Sequence, residues 1–265
     1  MIEDTDKKAV DVRNILLALV TQNNGNWEKT LDDIKNKKDI SEEEVLDCLS
    51  ISGNFITLVD NDFPEKLKQS FRPPFVLFYD GDLNVLLQSK HLLCVLNDHN
   101  ASQYATETIQ DIVGGLTDKC TFVIGFGPKK NNELIKYLLS RGSSIIAVLD
   151  RGIGIENTED KELYQSLKDN QLILSTFPKS VVDRTPQTKF ECSKLQVGLC
   201  KRILVGAITK NSFLNIALGM ALENGDDLYC IPFQVGSNYI TNRFIHDGAT
   251  LVETSETLSF DAELE

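Results

Sequence analysis

Apolar and polar positions in the first part of the chain follow a helical period. From about residue 8 to 52, apolar residues recur every three or four positions. Asn26 is placed to cap a second helix, and Ser41 with Glu44 fits a capping box at the start of a third. The pattern predicts a small all-α domain over residues 1–54.

Beyond that region, short apolar runs alternate with amphipathic segments. The apolar runs predict strands at 55–59, 71–79, 92–96, 121–124, 144–149, 172–174, 202–207, 228–231 and 250–252. Helical spacing predicts helices at 63–67, 102–116, 131–141, 161–169, 213–224 and 239–246. This alternation indicates an α/β fold with a mostly parallel sheet and helices on both faces. A ligand site is expected at the carboxyl ends of the strands.

Charge argues against indiscriminate binding of nucleic acid, because phosphate contacts need Lys and Arg and the net charge is −12. The distribution changes this picture. Between residues 179 and 210 there are seven basic residues and two acidic ones. The segment is either a basic binding surface or a solvated loop with no partner.

Cysteine and histidine usage points away from metal chemistry. The six cysteines form no C-x-x-C pair, most lie in or beside apolar runs, and the three histidines are far apart. We interpret the cysteines as reduced, buried thiols and predict no metal and no cofactor. No apolar run is long enough to span a membrane, and the start of the chain lacks the pattern of a secretory leader, so a cytoplasmic location is expected.

Several segments, taken in order, resemble the DNA-processing protein A (DprA/Smf) family. The family's pattern of "YPxxL", "PP" and "LFxxG" is similar to residues 63–67, 73–74 and 77–81. Its "TIAVLGxGL" and "LLLSExP" are similar to 145–153 and 172–178, and its "PG…N-x-L-I-x-D-G-A" close is similar to 231–249. In that close, Gly248 suits a left-handed helix C-cap.

The resemblance implies an extended Rossmann-like domain over residues 55–265. It also implies the family's function, which is to bind incoming single-stranded DNA during natural transformation and to help load RecA recombinase onto it. No covalent chemistry is attributed to the family, so a non-enzymatic protein is expected. The resemblance further implies a homodimer with no membrane span. Because the chain ends at Glu265 after an acidic stretch, the winged-helix domain of some relatives is expected to be absent.

The polar loops depart from the family pattern. In the first loop, "VGSRxxSxYG", Asn97 replaces the glycine and His99 replaces the arginine, whereas Ser102 is retained. At the position of the family's "RNR" motif, Lys194 is the one residue that keeps a positive charge. Glycine-rich turns let backbone N–H groups converge on a phosphate, and arginine binds it with two hydrogen bonds. We therefore expect weaker binding of single-stranded DNA than in a typical relative, or none.

The matching positions give the candidate DNA contacts. They are His99, Ser102, Lys129, Lys130, Lys194, Lys201 and Arg202. Phe126 would add base stacking if it were exposed, and otherwise belongs to the core. Asp150 and Asp247 are interpreted as structural caps, although Asp150 could serve as an acid in an enzyme.

Two other functions remain open. The first is a diverged scaffold or interaction protein that has lost DNA binding. The second is a Rossmann-like nucleotide-processing enzyme, which is disfavoured because the "PGGxGTxxE" loop of the nucleotide phosphoribohydrolases is missing from the sequence.

Overall fold

The protein is described by a computed structural model in which residues 2–258 and 260 are placed. Of the acidic stretch noted in the sequence, Glu253 and Glu256 lie within this part, whereas Asp261, Glu263 and Glu265 lie outside the described residues. Along the described chain, no helix is both long and apolar enough to cross a bilayer.

The N-terminal part is helical, as predicted. Its helices are α1 (Ile2–Gln22), α2 (Trp27–Lys35) and α3 (Glu42–Ser52). The Asn26 side chain accepts the Lys29 backbone N–H and so caps α2. Both hydrogen bonds of the Ser41–Glu44 capping box are present at the start of α3. Local sequence therefore determines where these two helices begin.

The described residues then form a nine-stranded sheet. Its strands are β1 (Asn54–Thr57), β2 (Val76–Gly81), β3 (Leu92–Leu96), β4 (Thr121–Phe126), β5 (Ile145–Leu149), β6 (Leu172–Ser175), β7 (Arg202–Val205), β8 (Asp227–Cys230) and β9 (Thr250–Leu251). The spatial order is β1-β2-β6-β5-β4-β3-β7-β8-β9. The seven strands β6-β5-β4-β3-β7-β8-β9 pair in parallel with their neighbours. Strand β2 pairs antiparallel with both β1 and β6.

Helices cover both faces of the sheet, which confirms the predicted fold class. They are α4 (Glu65–Lys68), α5 (Asn84–Leu87), α6 (Gln103–Gly114), α7 (Lys129–Ser140), α8 (Lys161–Asn170), α9 (Pro186–Leu199), α10 (Leu214–Glu223) and α11 (Thr241–His246). Alternate strand residues enter two cores. Helices α1, α6, α7 and α8 pack in one core, and α4, α9 and α10 pack in the other.

The N-terminal helices share a core with the sheet. Leu17 on α1 is fully buried and belongs to the same cluster as Val76 and Phe78 on β2. The Trp27 ring stacks on Phe75 with centroids 5.5 Å apart, and its Nε1 donates to the Pro73 carbonyl at 2.8 Å. The predicted parts 1–54 and 55–265 are thus packed against each other. Their division into two domains stays a prediction.

Helix α9 corrects the interpretation of the basic segment. No helix was predicted at 186–199, yet the structure has one there, and residues 192–199 are all buried. A helix that is buried nearly all round carries no amphipathic stripe, so its period is hidden in the sequence. The segment is therefore not a solvated loop, because its centre is a core element.

Candidate nucleic-acid interface

The order of the strands reverses beside β3, which pairs with β4 on one side and with β7 on the other. In an open parallel sheet this reversal separates two loops and leaves a crevice at the carboxyl ends of the strands. Here a groove of about 630 Å³ lies at that place. We call it the switch-point groove; the loops after β3 and β4, residues near the end of β5 and both α9 and α10 line it.

A carboxylate of the chain itself holds the two switch-point loops together. Asp98, only 8% exposed, accepts the Thr209 backbone N–H at 2.8 Å and the Thr209 hydroxyl at 3.0 Å, and it also accepts the Ser212 hydroxyl. Beside it, Asn97 Oδ1 accepts the Ala207 N–H at 2.9 Å. In a glycine-rich turn, hydrogen-bond donors at this edge of the sheet would face a phosphate. Here Asp98 and Asn97 accept hydrogen bonds from those donors instead.

A second buried carboxylate orients an arginine over the groove. Arg184 Nε lies 2.7 Å from Asp150 Oδ2, and Arg151 Nε lies 3.4 Å from Asp150 Oδ1. The guanidinium packs over Gly127, where a Cβ would come within 3.4 Å of Arg184 Nη2 and where φ is +122°. Asp150 is thus an ion-pair partner, which corrects its interpretation as a cap. Its effect is to fix the direction of Arg184.

Positive and negative groups are balanced around the groove. The cationic side chains lining it are Lys129, Arg184 and Lys189, and the carboxylates are Asp98, Asp150 and Glu159. Lys129 is the most accessible of the cations that pair in this region, because its side chain is 89% exposed and its contact with Glu133 is 3.9 Å long. A long, exposed pair of this kind contributes little, so the Lys129 ammonium can exchange partners.

The floor of the groove is polar and its wall is partly aromatic. The side-chain amides of Asn131 and Gln196 both lie close to Gly125, where a Cβ would lie 3.4 Å from Asn131 Nδ2 and 3.1 Å from Gln196 Nε2. Phe213 lines the groove and is 38% exposed. Beneath them, burial followed by the nearby Asp150 charge raises the pKa of the Cys192 thiol, so Cys192 is not an activated nucleophile.

Two of the seven candidate contacts lie on the rim of this groove, and two lie beside it. His99 and Lys129 are exposed on the rim. Ser102 caps α6 by accepting the Ala105 N–H at 3.2 Å, and Lys130 Nζ donates to the Ala101 carbonyl oxygen. Ser102 and Lys130 therefore have structural partners already.

The other three candidates lie elsewhere, so the seven do not share one groove. Lys194 is 7% exposed, pairs with Glu191 at 2.8 Å and lines a separate cavity beside Trp27. Lys201 and Arg202 lie at the amino end of β7, the opposite edge of the sheet. The physical reason is that neighbouring positions on a helix face different sides, and the two ends of one strand face different edges.

Phe126 is also placed by the structure. It is 3% exposed and packs edge to face on Tyr164, so it is a core residue and offers no stacking surface. Four residues that line the groove were not predicted from the sequence, namely Arg184, Lys189, Gln196 and Phe213. Arg184 and Lys189 belong to the basic segment recognised in the sequence. Because α9 was not predicted, the spacing of these residues could not show which side of the helix faces the groove.

Fold and site together define the class of protein. It is an open, doubly wound α/β protein with a groove at the topological switch point that carries cations on its rim. Within that class, the chain belongs to the DNA recombination-mediator protein A family, whose model matches residues 54–262.

Individual relatives agree with this assignment. The chain is 23% identical over 211 residues to DNA processing protein DprA of Streptococcus pneumoniae, covering 78% of this chain and 73% of the relative. The crystal structure of DprA from Streptococcus pneumoniae superposes with a TM-score of 0.76 at 19% identity, covering 90% of this chain and 81% of the other.

A second solved structure is that of DNA processing protein A from Helicobacter pylori, described for its single-stranded DNA binding mode. It superposes with a TM-score of 0.67 at 17% identity, covering 78% of this chain and 94% of the other. At these identities the structural likeness establishes the shared fold.

Proposed function

We propose that the protein binds single-stranded DNA in the switch-point groove and helps load RecA recombinase onto it, as a cytoplasmic DNA-processing protein of natural transformation. The role is one of binding and needs no covalent step. The family assignment and the described DNA binding of the Helicobacter pylori relative support it. A homodimer is part of the proposal, and sedimentation of the purified protein tests it.

One observation carries the proposal. Arg184 is held in a fixed orientation over a groove that is also lined by two lysines and by the exposed ring of Phe213. Asp150 holds Arg184 in one direction, so little side-chain freedom is lost when its terminal nitrogens meet a phosphate. Lys129 and Lys189 extend the positive rim, and Phe213 offers a face on which a base can stack.

Fluorescence anisotropy of a labelled oligo-dT across a salt series tests the proposal. With three cations at phosphates, the logarithm of affinity should fall with the logarithm of salt with a slope of about −2. The variant K129A/K189A should reduce the slope by about 1.4 and weaken binding on the order of tenfold at low salt.

The matched control is K90A/K119A. These two exposed lysines precede β3 and β4 at the opposite edge of the sheet, and removing them changes the net charge by the same amount. The control should bind like the unaltered protein. Equal losses in both double variants would mean that net charge matters and the groove does not, and absence of binding at low salt would overturn the proposal.

A scaffold that no longer binds DNA is the second candidate, and two observations favour it. The groove has as many carboxylates as cations, and Asp98 already engages Thr209 and Ser212 at the switch point. The same titration separates the two candidates. RecA filament formation on single-stranded DNA, followed with and without the protein, tests the loading step by itself.

A further inference from the structure

We propose that the cavity near Trp27 is a binding site for a carboxylate that carries an aromatic ring. Lys194 holds the carboxylate group, and the rings of the cavity wall hold the aromatic body. The cavity has a volume of about 500 Å³, which is in the size range of small-ligand sites. Among the described residues, none lines both this cavity and the switch-point groove, so a ligand here adds a second binding function.

A buried ammonium group with free donors is the first observation. Lys194 is 7% exposed, and its Nζ lies 2.8 Å from Glu191 Oε2. Within the described part of the chain, this oxygen is the one acceptor that Lys194 Nζ meets. An ammonium group has three N–H donors, so two of them are left for a ligand or for water. Because unmet buried donors are costly, this wall of the cavity favours an acceptor.

The hydrogen bonds around Glu191 decide the sign of the ligand's charge. Glu191 Oε1 accepts the Gln187 side-chain amide at 3.0 Å, and Oε2 faces Lys194. Both oxygens of this carboxylate are thus engaged, whereas the ammonium keeps free donors. Nearer the solvent, Arg72 pairs with Glu28 at 2.7 Å. These four charges sum to zero, so one added negative charge meets no net repulsion, and the free donors favour an anion over a cation.

The rings around the cavity decide the shape of the ligand's body. They belong to Trp27, Phe71, Phe177 and Phe190. Phe177 is 4% exposed and forms a buried part of the wall, whereas Phe71 is 58% exposed and stands at the edge. Aromatic rings pack favourably on other rings in offset or edge-to-face arrangements. A planar aromatic group therefore fits this wall.

The wall contributed by the N-terminal part is fixed in place. Gly25, in the turn between α1 and α2, has a φ of +73°, and a Cβ there would lie 2.7 Å from Phe177 Cδ1. The turn therefore packs directly on the Phe177 ring, an approach that glycine allows. Trp27 is held by its stacking on Phe75. Because both parts of the molecule build the cavity, a bound ligand should stabilise their contact by mass action.

Arg72 stands at the edge of the cavity in a strained conformation. Its φ is +52°, in the left-handed region that residues other than glycine rarely adopt. The guanidinium carbon lies 5.0 Å from the centroid of the Trp27 ring and 5.2 Å from that of Phe71. These cation–π contacts and the ion pair with Glu28 hold the residue in place. Arg72 thus supplies a second positive charge at the entrance.

The fluorescence of Trp27 tests the site directly, because Trp27 is the single tryptophan of the chain and lines the cavity. The probes are phenylacetate, neutral phenylacetamide and cationic phenethylamine, titrated into the full chain. Phenylacetate should bind with a Kd on the order of 0.1–1 mM, as expected for a ligand of this size. It should bind about tenfold more tightly than phenylacetamide, because its hydrogen bonds to the ammonium are charge-assisted. Phenethylamine should bind most weakly.

The variant K194M tests the role of the ammonium group. Methionine keeps an unbranched side chain and removes the charge, so phenylacetate and phenylacetamide should bind within about twofold of one another. The matched control is K66M. Lys66 is also partly buried and pairs with a buried carboxylate, that of Asp226, at 3.1 Å, but it lies outside the cavity. K66M should keep the preference for the acid.

The variant F71A tests the aromatic wall, and it keeps the test available if K194M does not fold, because Phe71 is exposed. It should weaken phenylacetate and phenylacetamide alike, by about threefold to tenfold. The control is L87A, which removes an exposed apolar side chain on α5. It should change neither affinity.

A thermal scan gives a second measurement. Phenylacetate at about tenfold excess over its Kd should raise the Tm by about 3 °C, and K194M should remove most of this shift. No saturable change in fluorescence up to about 10 mM phenylacetate would overturn the site. Equal affinities for phenylacetate and phenylacetamide in the unaltered protein would overturn the role of Lys194.

Two sources can supply the same chemistry, a free aromatic acid or the C-terminal residue of a polypeptide. N-acetyl-L-phenylalanine distinguishes them, because it joins the ring and the carboxylate to one peptide group. Binding about tenfold tighter than that of phenylacetate, as for added hydrogen bonds to the peptide group, would assign the site to a C-terminal residue. Any weaker binding would assign it to a free acid. Both results support a site for an aromatic carboxylate.

Discussion

Asp98 shows how one side chain can occupy the hydrogen-bond donors with which a loop at the end of a strand could otherwise bind an anion. Its carboxylate accepts hydrogen bonds from Thr209 and Ser212, more than 100 residues later in the chain. An internal carboxylate repels a phosphate and also competes with it for the same donors. In the proposed complex with DNA, we therefore expect the phosphates to contact Arg184 and the lysines of the rim instead of the switch-point loops.

The variant D98A tests the structural part of this account. It would leave the half-buried donors of Thr209 and Ser212 without their acceptor, and should lower the free energy of unfolding by about 1–3 kcal/mol. Urea denaturation followed by circular dichroism measures the change. D111A, on the exposed face of α6, is the control and should be within about 0.5 kcal/mol of the unaltered protein. A D98A variant as stable as this control would contradict the role of Asp98.

At the scale of elements, α9 decides which cations belong to the groove. Its exposed start presents Lys189 to the groove, and its buried turn directs Lys194 to the cavity near Trp27. The start of the helix is well marked. Thr185 accepts the Thr188 N–H, Thr188 completes the capping box, and Pro186 occupies the first turn.

The cap of α9 supplies the second prediction. T185A removes the oxygen that accepts the Thr188 N–H and should destabilise the protein by about 1 kcal/mol. T185S retains that oxygen and should restore most of the loss. Thermal or urea unfolding of the pair measures it, and equal stability of T185A and T185S would show that the cap contributes nothing.

Individual helices and strands differ in how well the sequence pattern predicts them. The bounds of β3 are predicted to the residue, and the helices at 102–116 and 161–169 are each found within two residues. These elements have one buried face or a continuous apolar run. Helix α9 was missed because burial on several sides removes the periodic contrast on which the prediction depends.

For the whole molecule, the packing of α1 on the sheet leads us to expect cooperative unfolding. Trp27 is the single tryptophan of the chain and lies between the N-terminal helices and the sheet. Its fluorescence reports on this contact, whereas far-ultraviolet circular dichroism reports mainly on the larger α/β part. The two urea transitions should coincide. A fluorescence midpoint well below the dichroism midpoint would show that the N-terminal part unfolds first.

Buried thiols should make the protein sensitive to alkaline pH. Burial raises the pKa of Cys120 and Cys230 to about 12, and it raises the pKa of Cys94 and Cys192 as well. A thiol whose pKa is higher in the folded state stabilises the fold fully below its unfolded pKa of about 8.5–9, and this contribution is lost as pH rises toward the folded pKa.

The free energy of unfolding should therefore fall between pH 8 and pH 10 by roughly 1–2 kcal/mol for each of these four thiols. Urea titrations under reducing conditions at the two pH values measure the fall. C120A should show a smaller fall than the unaltered protein, by about the share of one thiol. Equal stability at pH 8 and pH 10 would contradict the account.

The sequence by itself determined the class of fold, the succession of strands and of most helices along the chain, and the family resemblance, because these follow from hydrophobic period, caps and turns that are local in the chain. Only the tertiary structure decided which polar residues meet. Asp98 and Ser212 are 114 positions apart, and Arg184 and Asp150 are 34 apart. Whether such groups come together depends on strand order and on the face of a helix, so Arg184, Lys189 and the amides of Asn131 and Gln196 became visible as one groove only in the folded chain.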